Sequence, residues 1–171
     1  LLLLTSLFSP GFRSGSHLRS MSVLASFIGI VALGQTLVII GGGIDLSVPW
    51  VLNCAAILMT LVAGGQDGPL LWAIPLILAA GAAVGAINGA GVALFGVPPI
   101  IMTLAVNVIL QGGILVYTGG APPATAPPLI QFLAVGRIGF FPVVVVIWIV
   151  LAVAGSILLS KTAFGRQLYA V

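Results

Sequence analysis

In 171 residues the chain is 61% hydrophobic and only 4% charged, with a mean hydropathy of +1.36. A water-soluble domain of this size carries about a quarter charged residues, so 5 Lys+Arg and 2 Asp+Glu cannot keep a surface in water. The formal charge of +3 comes from Arg13, Arg19, Arg137, Lys161 and Arg166. All of them lie in or beside breaks in the apolar pattern, where juxtamembrane charges sit. They form no clustered basic face, which excludes a nucleic-acid partner. The lone Cys54 excludes an intrachain disulfide and reads as a small core residue.

The chain opens on "LLLLTSLFSP" with neither Met nor a basic leader. Residues 1–8 therefore read as the remnant of a truncated apolar helix rather than a signal peptide. Residues 9–20 read as a polar loop. A helix needs about 20 apolar residues to cross the ~30 Å hydrocarbon core. On that measure residues 21–40 and 46–63 are full spans, joined by a glycine-rich break. The link "GGQDGP" at 64–69 is a turn by its Gly, Asp and Pro content. Residues 70–95 cross with tilt, "GVPP" at 96–99 interrupts, and 100–118 spans again. The stretch "GGAPPATAPP" at 119–128 is expected to be an extended, polyproline-like loop. Residues 138–160 form the last span.

Continuous apolarity over such lengths excludes a β-barrel. The fold class is all-α, a polytopic helical bundle of about six transmembrane helices, the first truncated. The abrupt end at "LYAV" completes the picture of a single transmembrane domain over 1–171, incomplete at both ends. Basic residues do not decide orientation, because the two candidate sides carry similar numbers of them.

Three constellations stand out. In "GAAVGAING", Gly81, Gly85 and Gly89 are spaced four apart, a stripe that lets helices approach closely. Asn88 on the same helix needs a partner, since a lone amide in lipid is costly. On the next span, Thr103, Asn107 and Gln111 also recur every four residues and share a face. That row is compatible with interhelical hydrogen bonding or with the lining of a hydrated pathway.

The third is "GGGIDLSVP", in which Gly42 and Gly43 break one helix and Asp45, Ser47 and Pro49 lead into the next. An intramembrane carboxylate at a helix centre costs about 2.5–3.5 kcal/mol and usually has a purpose. The cap reading is favoured nonetheless: Asp and Ser are N-capping types, the helix dipole favours an anion there, and Pro is accepted in a first turn.

Enzyme chemistry finds no footing. The single His17, placed in a polar loop, cannot build a metal cluster or a catalytic triad, so no metal and no catalytic residue is assigned. No phosphate-cradling G-x-x-x-x-G-K-[ST] occurs, and no cofactor is expected.

The blocks "GGGIDLSV", "AINGAGVALFGVPPIIMTLAVNVILQGG" and "KTAFGRQLYAV", in that order, resemble the permease subunit of ribose-type bacterial ABC sugar importers. That family is related to the branched-chain amino acid permeases. The resemblance covers roughly the N-terminal half of such a permease. It implies an inner-membrane protein that moves sugar by alternating access. Its expected partners are a second permease copy or paralogue, separate ATP-binding cassette subunits, a periplasmic sugar-binding protein and the surrounding lipid bilayer. Residues 161–171 would begin the cytoplasmic ATPase-coupling segment, with Thr162, Phe164, Gly165, Arg166 and Tyr169 matching its motif. Phe164 and Leu168, four apart, are expected on one side of it. A cytoplasmic tail places the glycine-Asp45 break toward the cytoplasm. Pro49 departs from the pattern, which has Gly there. The competing readings are an ion-coupled secondary transporter using Asp45, and a non-functional gene fragment.

Overall fold

The computed structural model describes residues 14–170, so the expected remnant at 1–8 and Arg13 lie outside the described residues. Helix α1 covers Gly15–Ile40, α2 Val48–Ala63, α3 Leu70–Ala93, α4 Pro99–Thr118 and α5 Pro128–Val135. A hairpin of β1 (Arg137–Ile138) and β2 (Phe141–Pro142) precedes α6 (Val143–Lys161) and α7 (Ala163–Leu168). Among the described residues, α1, α3, α4 and α6 are long and apolar enough to cross a membrane. The bundle is all-α and polytopic, as its composition requires.

Four boundaries differ from the sequence reading. Helix α1 starts at Gly15, inside the expected loop 9–20, and so carries His17 and Arg19. The Ser14 hydroxyl accepts the His17 N–H at 3.3 Å, which starts the helix in polar sequence. Hydropathy marks where the bilayer begins, and this helix extends past it. Helix α2 has 16 residues rather than the expected span 46–63; at 1.5 Å per residue it covers about 24 Å. After the Pro-rich loop an unexpected helix, α5, forms from Pro128. The last span begins at Val143 because residues 137–142 form the hairpin, with Gly139 (φ 62°) supplying the positive φ its turn needs.

The chain forms two compact units, one of Val38–Ile130 and one of residues 14–37 with 131–170. In the Val38–Ile130 unit, α2, α3 and α4 pack pairwise. Its interior holds Ala63, Leu70, Ala73 and Val106 together with the polar Ser47, Thr60, Asn88 and Thr103, while Leu71, Trp72 and Val116 are exposed. Lipid tails are as apolar as leucine, so burial here sequesters polar groups and small residues rather than grease. Close approach occurs at Gly91, where a Cβ would stand 2.5 Å from Met102 Sδ. The glycine stripe behaves differently. Gly81 lines a small crevice with Val51, Cys54 and Leu58 of α2, and a Cβ at Gly85 or Gly89 would meet nothing within 4 Å.

In the other unit, α1 and α6 meet where Gly29 lies against the Trp148 indole, which occupies the place of a side chain at 29. Past α6, Thr162 caps α7 by accepting the Gly165 N–H at 3.3 Å. Gly165 is buried, and a Cβ there would run into the Leu159 carbonyl, so only glycine allows this close approach. On α7, Phe164 is exposed and Leu168, four residues on, is half-buried.

Candidate functional site

The richest polar constellation in the Val38–Ile130 unit is the non-helical stretch between α1 and α2. Helix α1 ends in a glycine turn: Gly42 (φ 75°) donates to the Ile39 carbonyl at 3.0 Å and Gly43 to Val38 at 2.9 Å. Residues 43–47 then run without helical hydrogen bonding until Val48. Helix α2, at 16 residues, is shorter than the ~30 Å core, so the backbone leading into it comes close to the hydrocarbon. Exposed backbone there cannot be left to lipid.

Side chains from the stretch itself and from two helices supply partners. Asp45 Oδ1 accepts the Ser47 N–H at 2.8 Å and the Ser47 hydroxyl at 2.6 Å. The Ser47 hydroxyl in turn accepts the Asn88 amide of α3 at 2.9 Å. From α4, Thr103 Oγ1 accepts the Leu46 N–H at 3.0 Å and donates to its own helix at Pro99 O, 2.8 Å away. The Ile44 carbonyl lies 3.3 Å from the same hydroxyl. Ser47, Asn88 and Thr103 are all buried and Asp45 is half-buried.

This refines the cap reading of "GGGIDLSVP". Ser47 stands at the N-cap of α2, yet its side chain makes no cap hydrogen bond, because Asp45 and Asn88 take it instead. Pro49 sits in the first turn, as expected. The structure thus joins three constellations that the sequence presented separately: Asp45 and Ser47 from the break, Asn88 from the glycine helix, and Thr103 from the polar row.

The rest of that row sits elsewhere. Asn107 is half-buried, and its Oδ1 is buried with no hydrogen-bond partner among the described residues. The Asn88 Oδ1 is in the same state. Gln111 is half-buried one turn further along α4. Beyond it a groove of about 320 Å³ opens between α2 and α4, lined by Trp50, Asn53, Thr60, Ile114 and Thr118 among others. Sequence reasoning missed Asn53 and Thr60, although their seven-residue spacing on α2 is a signal of one polar stripe.

The opposite end of the unit has its own tie. Asp67 Oδ1 accepts the Leu129 N–H at 2.9 Å, so a carboxylate in the "GGQDGP" turn caps α5, and Pro127 is fully buried beside it. Both carboxylates of the chain, Asp45 and Asp67, therefore organise helix starts.

Phe164 and Arg166 of α7 and Tyr169 just after it are exposed, and Thr162 just before it is half-buried. Among the described residues no group of His, Cys, Asp or Glu is placed to hold a metal.

A protein-family profile described as branched-chain amino acid transport system / permease component matches residues 18–171. The chain is 34% identical over 175 residues to the ribose import permease protein of Escherichia coli (strain K12), covering 100% of this chain and 54% of that protein. It is 35% identical over 175 residues to the ribose import permease protein of Bacillus subtilis (strain 168), covering 100% and 53%. With the autoinducer 2 import system permease protein of Shigella flexneri it shares 33% over 176 residues, covering 94% and 48%. The chain spans about half the length of these curated relatives. No solved structure matches it. With membrane-crossing helices and a family profile across nearly all its length, the chain is a multi-pass inner-membrane protein and belongs to the branched-chain amino acid transport system / permease component family.

Proposed function

We propose that the chain is the N-terminal part of the permease subunit of an ATP-driven sugar importer. The observation that carries this reading is identity to ribose import permeases along the whole chain. ATP hydrolysis is assigned to separate cassette subunits, a periplasmic sugar-binding protein delivers substrate, and a second permease copy or paralogue completes the pathway by alternating access. The substrate class is a monosaccharide or a related small polyol, in keeping with the ribose and autoinducer 2 named for the relatives.

Asn107 and Gln111, with the groove of Trp50, Asn53 and Thr118, are proposed as pathway lining. The supporting feature is the unpartnered Asn107 Oδ1 on α4, the helix whose later turns line that groove, a carbonyl that water or a sugar hydroxyl satisfies. Thr103 is proposed to hold the pathway's inner wall through the helix break. The open stripe at Gly85 and Gly89 is proposed to receive another permease helix. Residues 161–171 are proposed as the start of the cytoplasmic coupling segment, which puts the Asp45 break on the cytoplasmic side and the Pro-rich loop on the periplasmic side. What supports the coupling role is that Phe164 and Arg166 of α7 and the following Tyr169 are exposed while Gly165 seats α7 against α6. The commitment of Asp45 Oδ1 to Ser47 favours this reading over ion coupling at Asp45.

The test is sugar uptake by the full-length permease co-expressed with its ATPase. Phe164→Ala combined with Arg166→Glu is expected to abolish ATPase association and uptake while leaving membrane insertion intact. Unchanged assembly and uptake would remove the coupling assignment. Uptake that needs an ion gradient and is lost in Asp45→Asn would replace the importer reading altogether.

A further inference from the structure

A second polar feature lies in the unit of residues 14–37 and 131–170, and transport does not account for it. At the end where α1 and α6 both begin, a pocket of about 290 Å³ is lined by Leu18, Arg19, Ser22, Phe140, Phe141 and Val145, among others. Arg19 lies with its guanidinium carbon 5.5 Å from the centroid of the Phe140 ring. Phe140 and Phe141 meet edge to face, with centroids 6.0 Å apart and planes at 89°. The Arg19 Nε is buried, with no hydrogen-bond partner among the described residues.

No carboxylate is available to Arg19 within this unit. The chain's two acidic residues, Asp45 and Asp67, both belong to Val38–Ile130. Arg19 also lies in the second turn of α1, where the positive end of the helix dipole raises the need for an anion.

Depth identifies the anion. Helix α6 has 19 residues, about 28 Å, which matches the hydrocarbon core by itself. Its start at Val143 therefore marks the edge of the core, and the hairpin before it lies in the headgroup layer. Helix α1 has 26 residues and exceeds the core by about 9 Å, so its first turns, including Arg19, reach the same layer. There the exposed Ile138, Phe140 and Phe141 suit the boundary between acyl chains and headgroups, where aromatic side chains concentrate. Apolar walls and one guanidinium with no carboxylate in its own unit, at this depth, match the phosphodiester of a phospholipid and the roots of its chains.

We propose that this pocket is a binding site for the headgroup of an anionic phospholipid, with Arg19 donating to the phosphodiester from its seat on Phe140. Leu18, Phe141 and Val145 contact the upper acyl chain, and the hairpin anchors the permease at that interface. The proposal stands independently of which solute the permease carries.

Electron spin resonance of the full-length permease in bilayers tests it, using spin-labelled phosphatidylglycerol and spin-labelled phosphatidylcholine as probes. A hydrogen bond to a charged partner in a formed pocket contributes a preference of roughly tenfold for the anionic lipid. The wild type is expected to restrict phosphatidylglycerol by that margin. Arg19→Gln is expected to bring the ratio near unity, and Arg19→Lys to keep most of it. Arg137→Gln, which removes an exposed charge from the same hairpin, is expected to leave it almost unchanged. The proposal is overturned by a wild type without preference, or by Arg19→Gln retaining it. It is also overturned if Arg137→Gln costs as much as Arg19→Gln, which would indicate diffuse attraction. Displacement of the preference by millimolar inorganic phosphate would overturn it too, by making the site one for a free anion.

Discussion

The Asn88 amide of α3 donates to the Ser47 hydroxyl at 2.9 Å, joining residues 41 positions apart in a buried contact. Asp45 accepts the proton of that same hydroxyl, so one oxygen serves both neighbours at once. In hydrocarbon such a chain is the price of a broken helix: without it, the backbone between α1 and α2 would face lipid unsatisfied.

The first expected outcome follows from this sharing. Ser47→Ala leaves the Asn88 amide without an acceptor and should destabilise the permease by about 1–3 kcal/mol. Asn88→Ala alone should cost a comparable amount. The double variant should cost less than the sum, by about 0.5–3 kcal/mol. Thermal or denaturant unfolding in detergent measures all three. Simple additivity would mean the two residues act independently.

Thr103 gives a sharper contrast, because isosteric and conservative variants separate its roles. Thr103→Val keeps the shape but orphans the Leu46 N–H, and should cost about 1–3 kcal/mol. Thr103→Ser retains the acceptor and should stay close to wild type. A pathway residue with no structural role would show the reverse: altered uptake with an unchanged melting temperature.

Asp67 is expected to govern the Pro-rich loop. Asp67→Ala removes the cap on α5 and should weaken its start by about 0.5–2 kcal/mol. Hydrogen exchange at Leu129 and protease cleavage within residues 119–128 report this locally. Faster exchange there, with the rest of the bundle unchanged, is the expected pattern. Equal exchange in variant and wild type would remove the tie.

The glycines of α3 should divide into two classes. At Gly91, alanine should be tolerated, because the flexible Met102 thioether can give way. Gly91→Val should cost about 1–3 kcal/mol by overpacking. Gly85 and Gly89 meet nothing within 4 Å in this chain. Gly85→Leu should nevertheless destabilise the full-length permease by about 1–3 kcal/mol, as another helix is displaced. Stability unchanged by that substitution would turn the stripe toward lipid.

Hydropathy located the helices well because the bilayer imposes a length and an apolarity that composition records directly. It missed the start of α1 at Gly15, since polar residues continue a helix beyond the core without changing its apolar signal. It also overextended α2 to include Leu46 and Ser47, because an extended backbone satisfied by side chains is as apolar in sequence as a helix. The hairpin at 137–142 left no alternating pattern to read, its strands being two residues each.

The sequence by itself determined that this protein lives in a membrane, that its helices are many, and that the motif order resembles that of sugar permeases. Each of these depends on composition and local order alone. Only the tertiary structure decided the partners of its few polar side chains. Asp45, Ser47, Asn88 and Thr103 come from three separate segments, and Asp67 reaches across 62 positions to Leu129. Spacing along one helix says which residues share a face, but not which face another helix brings to it. In lipid that choice is made by the need to satisfy every buried polar group, and it is visible only once the helices are packed.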